Sequence, residues 1–126
     1  MSALVLDAGA LVAIDRDDRE TVWLVAVARA DGFDLRTNGG VVAQAWRDGA
    51  RQARLARLLR ATDVREIDES VGRSAGELLG RSGSSDVVDA TVVLLADAGD
   101  RIVTSDPSDI ARLADAAGSS ATIVPC

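Results

Sequence analysis

Four aspartates stand at chain positions where their carboxylates could act together. Asp7 directly follows a short apolar stretch at residues 2–6, and Asp106 follows another short apolar stretch by two residues. Asp86 and Asp89 open an apolar segment three residues apart, so their side chains share one face if this segment is a helix. Carboxylates that lie a few ångströms apart repel each other strongly unless a cation neutralises them. The pattern therefore predicts a site for a divalent cation.

Each of these acids also has a purely structural interpretation. Aspartate is a preferred N-cap residue, so Asp7 and Asp86 could each cap the helix that follows. Asp106 before Pro107 is a common way to enter a helix. Asp89 is harder to explain in this way because it interrupts an apolar run, where an unpaired carboxylate is costly. Taken together, the four acids favour a shared site over a set of independent caps.

The composition removes most other hydrolytic chemistries. All 14 basic residues are arginine, there is no histidine or lysine, and the single cysteine is Cys126. Without histidine there is no Ser-His-Asp or Cys-His nucleophile and no imidazole ligand, and without lysine there is no Schiff base. A single cysteine forms neither an internal disulfide nor a thiolate zinc cluster. Oxygen ligands alone favour a hard ion such as Mg²⁺ or Mn²⁺, and such a site suits metal-assisted hydrolysis of a phosphodiester.

Short apolar segments alternate with helical patterns, which predicts βαβ units in one domain spanning residues 1–126. We expect strands at residues 2–6, 33–36, 64–67, 101–104 and 121–124. We expect helices at residues 10–14, 21–30, 41–59 with a possible break at Gly49, 70–79, 87–98 and 107–117. The fold class is therefore α/β, with a parallel sheet covered by helices on both faces. The binding crevice of such a sheet lies beyond the carboxyl ends of its strands, where Asp7 and Asp106 are expected.

The location of the protein is predicted from its apolar segments. With 48% hydrophobic residues the composition is that of a globular protein, and no apolar run is long enough to span a membrane. The first apolar stretch is interrupted by Asp7 too early to serve as a signal peptide. We therefore expect a cytoplasmic protein that does not bind a membrane.

Charge is strongly segregated along the chain. The net charge is −6, yet residues 47–60 hold five arginines and one acid, which gives this segment +4 and the rest −10. If residues 41–59 form one helix, one of its faces carries Arg47, Arg51 and Arg54. This face could follow RNA phosphates, dock a partner protein or simply be solvated. We expect the three aromatic side chains in the core, namely Trp23, Phe33 and Trp46.

Three other α/β folds can be weighed against the sequence. Receiver domains and haloacid-dehalogenase-type phosphatases also place an aspartate after the first strand, but both need a later lysine, which this chain lacks. No Gly-x-Gly-x-x-Gly motif follows the first strand, which argues against a dinucleotide-binding fold.

Three short motifs follow one another in a specific order. They are Leu-Val-Leu-Asp-Ala-Gly-Ala-Leu at residues 4–11, Asp-Ala-Thr-Val-Val-Leu-Leu-Ala at 89–96 and Val-Thr-Ser-Asp at 103–106. With this order and spacing the chain resembles, over nearly its whole length, a PIN domain of the VapC-type toxin ribonucleases. The resemblance implies a three-layer α/β/α sandwich, a Mg²⁺- or Mn²⁺-dependent endoribonuclease, a VapB-like antitoxin partner and a homodimer. The residues that match the family's catalytic and metal-binding positions are Asp7, Asp89 and Asp106, with Thr104 as an accessory ligand.

Two positions depart from the family pattern. Gln44 stands where members usually carry a glutamate early in the third helix, and Gly9 where a serine or threonine is common. An amide oxygen can ligate a metal but adds no negative charge, so metal affinity should fall. One interpretation is an active ribonuclease in which Asp86 supplies the missing charge to the metal. The alternative is a catalytically degenerate domain that binds RNA or an antitoxin.

Overall fold

The strands and helices of the chain alternate as predicted in a computed structural model that describes residues 2–126. Their order is β1 (Ala3–Leu6), α1 (Ala8–Asp15), α2 (Arg19–Ala30), β2 (Asp34–Asn38), α3 (Gly39–Ala45), α4 (Ala53–Arg60), β3 (Thr62–Arg65), α5 (Glu69–Ser82), α6 (Val87–Leu94), β4 (Arg101–Thr104), α7 (Pro107–Ala117) and β5 (Thr122–Pro125). A single turn of 3-10 helix, Gly49–Arg51, lies between α3 and α4.

The five strands form one parallel sheet in the order β3-β2-β1-β4-β5. From β1 the chain adds β2 and β3 on one side and later β4 and β5 on the other. Strand order therefore reverses between β1 and β4. Helices α1 to α4 pack together and α5 to α7 form a second group, which gives the three-layer arrangement. The predicted α/β/α class is confirmed.

The central strand explains where the core lies. All four residues of β1, Ala3–Leu6, are fully buried. A strand without a polar alternation is typical of a sheet that is covered on both faces. Fully buried leucines and an isoleucine from the helices complete the core, among them Leu11, Leu55, Leu78 and Ile110. The edge strand β3 is by contrast largely exposed.

Residues 41–59 form two helices instead of one, and the interruption between them includes the possible break at Gly49. Helix α3 ends at Ala45, and α4 begins only at Ala53. The buried side chain of Gln52 causes the interruption, because its Oε1 accepts hydrogen bonds from the backbone N of Arg47 at 2.7 Å and of Asp48 at 2.9 Å. Its Nε2 donates to the carbonyl oxygen of Ala45 at 2.9 Å. These backbone groups are thus satisfied by a side chain instead of by a continuing helix. Helix α6 also ends earlier than predicted, at Leu94.

The arginines that were expected to share one helical face do not share a helix, and Arg47 lies in the loop after α3. Arg47 donates from Nη1 to the carbonyl oxygens of Ala43 and Trp46 at the end of α3. Arg51 belongs to the 3-10 turn and Arg54 to α4. Of the three, Arg51 and Arg54 line a common cleft.

The expectation that the aromatic side chains lie in the core is wrong for both tryptophans. Trp23 is 68% exposed on α2, and Trp46 is 36% exposed at the end of α3. Phe33 is partly buried, packs against the core and carries the guanidinium of Arg101 over its ring at 4.3 Å. Trp23 has apolar neighbours at helical spacing, but it lies on the face of α2 that points away from the core.

Among residues 2–126, none of the helices combines the length and the apolar character needed to cross a membrane.

Candidate metal centre

Asp7 lies where strand order reverses. Its backbone N donates to the carbonyl oxygen of Val103 at 3.2 Å, which joins the end of β1 to β4. Its Oδ1 accepts a hydrogen bond from the backbone N of Ala10 at 2.9 Å, so Asp7 caps α1, as the structural interpretation of this residue predicted. The side chain is buried. A carboxylate has a second oxygen, so capping does not exclude a further ligand.

Asp106 lies beyond the neighbouring strand β4. Thr104, the last residue of this strand, is fully buried, and its Oγ1 accepts a hydrogen bond from the backbone N of Asp106 at 2.9 Å. Asp106 occupies the N-cap position of α7, but its side chain makes no capping hydrogen bond. Its carboxylate is exposed and is therefore available for another role.

The two acids at the start of α6 have different environments. Asp86 is exposed and caps the helix, because its Oδ1 accepts a hydrogen bond from the backbone N of Asp89 at 2.9 Å. Asp89 is half-buried in the first turn.

Three acids from two helices converge. Asp89, Asp106 and Asp109 each offer a carboxylate oxygen, and these oxygens lie within 4.8 Å of one another. Asp109 was not predicted. It follows Asp106 by three residues in the first turn of α7, which is the spacing that singled out Asp86 and Asp89. The three-residue spacing of Asp106 and Asp109 is thus the sequence signal that identifies Asp109.

The pKa values show that this convergence is electrostatically unfavourable without a cation. Partial burial raises the pKa of Asp89 from 3.8 to about 6, and the charges of its four acidic neighbours add to the effect. Those neighbours are Asp86, Asp106, Asp7 and Asp109. The pKa of Asp106 is also raised, first by its hydrogen bond with Asp109, then by partial loss of solvent and by nearby charges. Asp7 therefore lies within electrostatic reach of the other acids.

The two positions that depart from the family pattern differ in what surrounds them. Gln44 lies near the end of α3 with an exposed side chain. Gly9 lies in α1, and a Cβ atom built there would stand 2.0 Å from Ser105 Oγ. A side chain at position 9 would overlap Ser105, so the glycine follows from the close approach of α1 to the loop after β4.

The residues at this edge fit a hard divalent ion. The donors are carboxylate oxygens, which Mg²⁺ and Mn²⁺ prefer. Like charges a few ångströms apart favour binding of a cation that neutralises them.

A basic surface lies near the other end of α1. Arg51, Arg54 and Arg57 line a cleft of about 360 Å³ together with Asp15, the last residue of α1. A neighbouring groove, also about 360 Å³, has a mostly apolar floor that includes Ile14, Val22, Val25 and Leu58. Its rim carries Arg29, Arg54 and Arg57. Helix α1 separates this surface from Asp7 by about 12 Å, the length of eight residues at 1.5 Å each.

The chain was compared with known proteins. No protein-family model matches it, and no curated protein does. A chain of the crystal structure of VapBC2 from Rickettsia felis, bound to a DNA fragment from their promoter, is similar in fold, with a TM-score of 0.67 and 13% sequence identity. The match covers 100% of this chain and 99% of that one. The comparison shows that the chain has the fold of a chain in that VapBC2 structure over its whole length.

Proposed function

We propose that the protein is a metal-dependent endoribonuclease of the VapC type, the toxin of a toxin–antitoxin pair, which hydrolyses RNA phosphodiesters. The observation that carries the proposal is the cluster of Asp89, Asp106 and Asp109 at the carboxyl edge of the sheet. Asp7 lies at the same edge, where strand order reverses and α/β proteins bind their ligands. The shared fold with a chain of the VapBC2 structure supports the assignment.

Carboxylates from three elements would hold Mg²⁺ or Mn²⁺. We assign Asp7, Asp89 and Asp106 as metal-binding and catalytic residues and add Asp109, whose carboxylate oxygen lies within 4.8 Å of those of Asp89 and Asp106. When bound, a divalent ion would supply activated water at neutral pH and stabilise the leaving oxygen of the phosphodiester.

The chain itself positions these acids and controls their protonation. Thr104 fixes the backbone at Asp106, and Asp7 is held by the cap of α1. Thr104 therefore contributes as a positioning residue, because its hydroxyl is fully buried. Asp89, with a pKa of about 6, competes for a proton in mildly acidic solution, so metal binding should strengthen as the pH rises.

The missing glutamate at position 44 calls for another source of negative charge. Asp109 is our first choice because its carboxylate oxygen belongs to the cluster. Asp86 is the second, since its charge acts on Asp89 while one of its oxygens caps α6. Gln44 would then serve as a neutral accessory residue.

Cleavage of an RNA panel with Mg²⁺ or Mn²⁺ tests the enzyme directly. Asp7→Asn should abolish cleavage, while the asparagine still caps α1. Asp68→Asn is the matched control, because Asp68 caps α5 in the same way and lies on an exposed corner. Metal-dependent cleavage that survives in Asp7→Asn would refute the assignment. Cleavage that appears only in Gln44→Glu would instead indicate a degenerate enzyme.

The second candidate function is a non-catalytic module that binds an antitoxin or RNA. The observation that favours it is the apolar groove with arginines on its rim, together with Gln44. An acidic, amphipathic segment of a VapB-like antitoxin would suit this groove, and RNA phosphates would suit Arg47, Arg51 and Arg54. Binding without cleavage, lost in Arg54→Glu but kept in the control Arg73→Glu on α5, would support this function. The homodimer implied by the family stays a prediction for sedimentation analysis.

A further inference from the structure

Asn38 connects two helices at the carboxyl edge of the sheet. It is the last residue of β2 and is 1% exposed. Its Oδ1 accepts a hydrogen bond from the backbone N of Val41 at 3.0 Å and so caps α3. Its Nδ2 donates to Thr91 Oγ1 on α6 at 3.0 Å. One side chain thus holds the start of α3 and the middle of α6 together.

Thr91 completes the connection within α6. It is 1% exposed, and its hydroxyl donates to the carbonyl oxygen of Val88 at 2.6 Å. The proton of Thr91 is therefore directed at its own helix, which leaves the oxygen to accept from Asn38.

Thr91 and Asp89 lie on different sides of α6. They are two residues apart, which corresponds to about 200° around a helix of 3.6 residues per turn. Thr91 faces the corner between β2 and α3, whereas Asp89 faces α7 with its acids. A hydrogen bond to Thr91 on one side of α6 therefore fixes the rotation of the helix about its axis, and this rotation determines where Asp89 points on the opposite side.

The other buried side chains of α6 are apolar, namely Ala90, Val92 and Val93. Apolar packing has no directional requirement, whereas a hydrogen bond does. The contact between Asn38 and Thr91 is thus suited to set the rotation of α6 about its axis.

We propose that Asn38 and Thr91 form a positioning pair that holds α6 in the rotation that brings Asp89 to Asp106 and Asp109. The proposal rests on the proposed metal site and concerns two residues that take no direct part in it. Residues that hydrogen-bond metal ligands directly contribute about ten- to a hundredfold to metal affinity, and we expect about tenfold from this pair, which acts through the rotation of α6.

Mn²⁺ binding to the purified protein, followed by electron paramagnetic resonance or calorimetry, tests the pair without requiring activity. Thr91→Val keeps the shape of the side chain and removes its hydrogen bonds, so Mn²⁺ affinity should fall about tenfold. Thr91→Ser keeps the hydroxyl and should stay within about twofold of the unchanged protein. Asn38→Ser still caps α3 but is too short to reach Thr91, and it should lose as much affinity as Thr91→Val.

Thr21→Val is the matched control. Thr21 is also 1% exposed, and its hydroxyl donates to Asp18 Oδ2 at 2.7 Å at the start of α2, a helix that contributes no carboxylate to the cluster of Asp89, Asp106 and Asp109. This variant should lose thermal stability and keep its Mn²⁺ affinity. The double variant of Asn38→Ser with Thr91→Val should bind no more weakly than either single variant, because both remove the same bond.

The outcomes separate the pair from the metal site itself. Unchanged affinity in Thr91→Val, equal loss in Thr21→Val, or additive losses in the double variant would overturn the positioning role alone. Absence of Mn²⁺ binding in the unchanged protein would overturn the proposed metal site and the pair together. If Thr91→Val does not fold, the Mn²⁺ affinity of Asn38→Ser compared with that of Thr91→Ser tests the positioning role instead.

Discussion

Replacing Asp89 by asparagine should stabilise the metal-free protein at neutral pH, although Asp89 is central to the proposed site. Burial and four neighbouring carboxylates raise its pKa from 3.8 to about 6. Because the pKa in the folded state lies above that in the unfolded state, the ionised carboxylate destabilises the fold. This destabilisation is absent below about pH 4, grows between about pH 4 and 6 and is complete above about pH 6.

Opposing contributions set the size of the effect of Asp89→Asn on the free energy of unfolding. The rise from 3.8 to about 6 corresponds to ~3 kcal/mol, at about 1.4 kcal/mol per pKa unit. Asp89 is only half-buried, and solvent screening reduces this figure to about 1–2 kcal/mol. A carboxylate in the first turn of α6 also gains about 0.5 kcal/mol from the helix dipole, which the asparagine loses. The net stabilisation expected from Asp89→Asn is therefore about 1 kcal/mol.

Urea unfolding in the presence of a chelator, near pH 7.5 and near pH 4, measures this difference. The gain from Asp89→Asn should appear at the higher pH and vanish at the lower one. Asp34→Asn is the control, since it changes net charge equally at an exposed position at the start of β2. Mn²⁺ in place of the chelator should reverse the order of stability by stabilising only the unchanged protein. A loss of stability in Asp89→Asn at neutral pH without metal would refute the electrostatic reasoning.

Three further predictions concern the acids and the packing around them. Asp109→Asn should weaken Mn²⁺ binding about tenfold in calorimetry. Asp86→Asn keeps the α6 cap and should weaken Mn²⁺ binding less. Equal losses of affinity in Asp86→Asn and Asp89→Asn would instead identify Asp86 as the acid that compensates for Gln44. Asp100→Ala should lower the free energy of unfolding in urea by about 3 kcal/mol. The carboxylate of Asp100 is 2% exposed, accepts a hydrogen bond from Ala3 N at 2.8 Å and forms a salt bridge with Arg36 at 3.3 Å. An unchanged urea midpoint would contradict this prediction. Gly9→Ser should cost about 2 kcal/mol in thermal unfolding through overlap with Ser105, and Ser105→Gly added to it should restore most of the loss.

The sequence predicts best the acids that closely follow a strand. Asp7 and Asp106 follow apolar stretches that are recognisable as strands, and parallel strands bring their carboxyl ends to one edge. The order of the strands, and hence the reversal between β1 and β4, depends on long-range packing that no local pattern specifies. The convergence of Asp89 with Asp106 and Asp109 depends in turn on how α6 packs against α7.

Where the structure differs from the sequence prediction, the difference is due to single side chains. Helical propensity runs through residues 41–59, and the break arises because the amide of Gln52 satisfies the backbone of Arg47 and Asp48. Such a contact requires Gln52 to be buried, which its residue type does not suggest. Trp23 likewise has the spacing of a core residue but lies on the outer face of α2.

In the part of the chain that the structure describes, the arginine side chains do not neutralise the cluster of Asp89, Asp106 and Asp109. Within residues 2–126, Arg36 pairs with Asp97 and Asp100, and the other arginine pairs also lie away from the acidic cluster. No arginine nitrogen in this part of the chain lies within 4.0 Å of a carboxylate oxygen of Asp89, Asp106 or Asp109. A chain with 14 arginines could neutralise these acids with one guanidinium, which is how carboxylates that serve only stability are usually satisfied. The fold instead leaves them mutually repelling at the carboxyl edge of the sheet. A destabilising arrangement of this kind is what a site for an exchangeable cation requires, because an arginine in its place would exclude the metal.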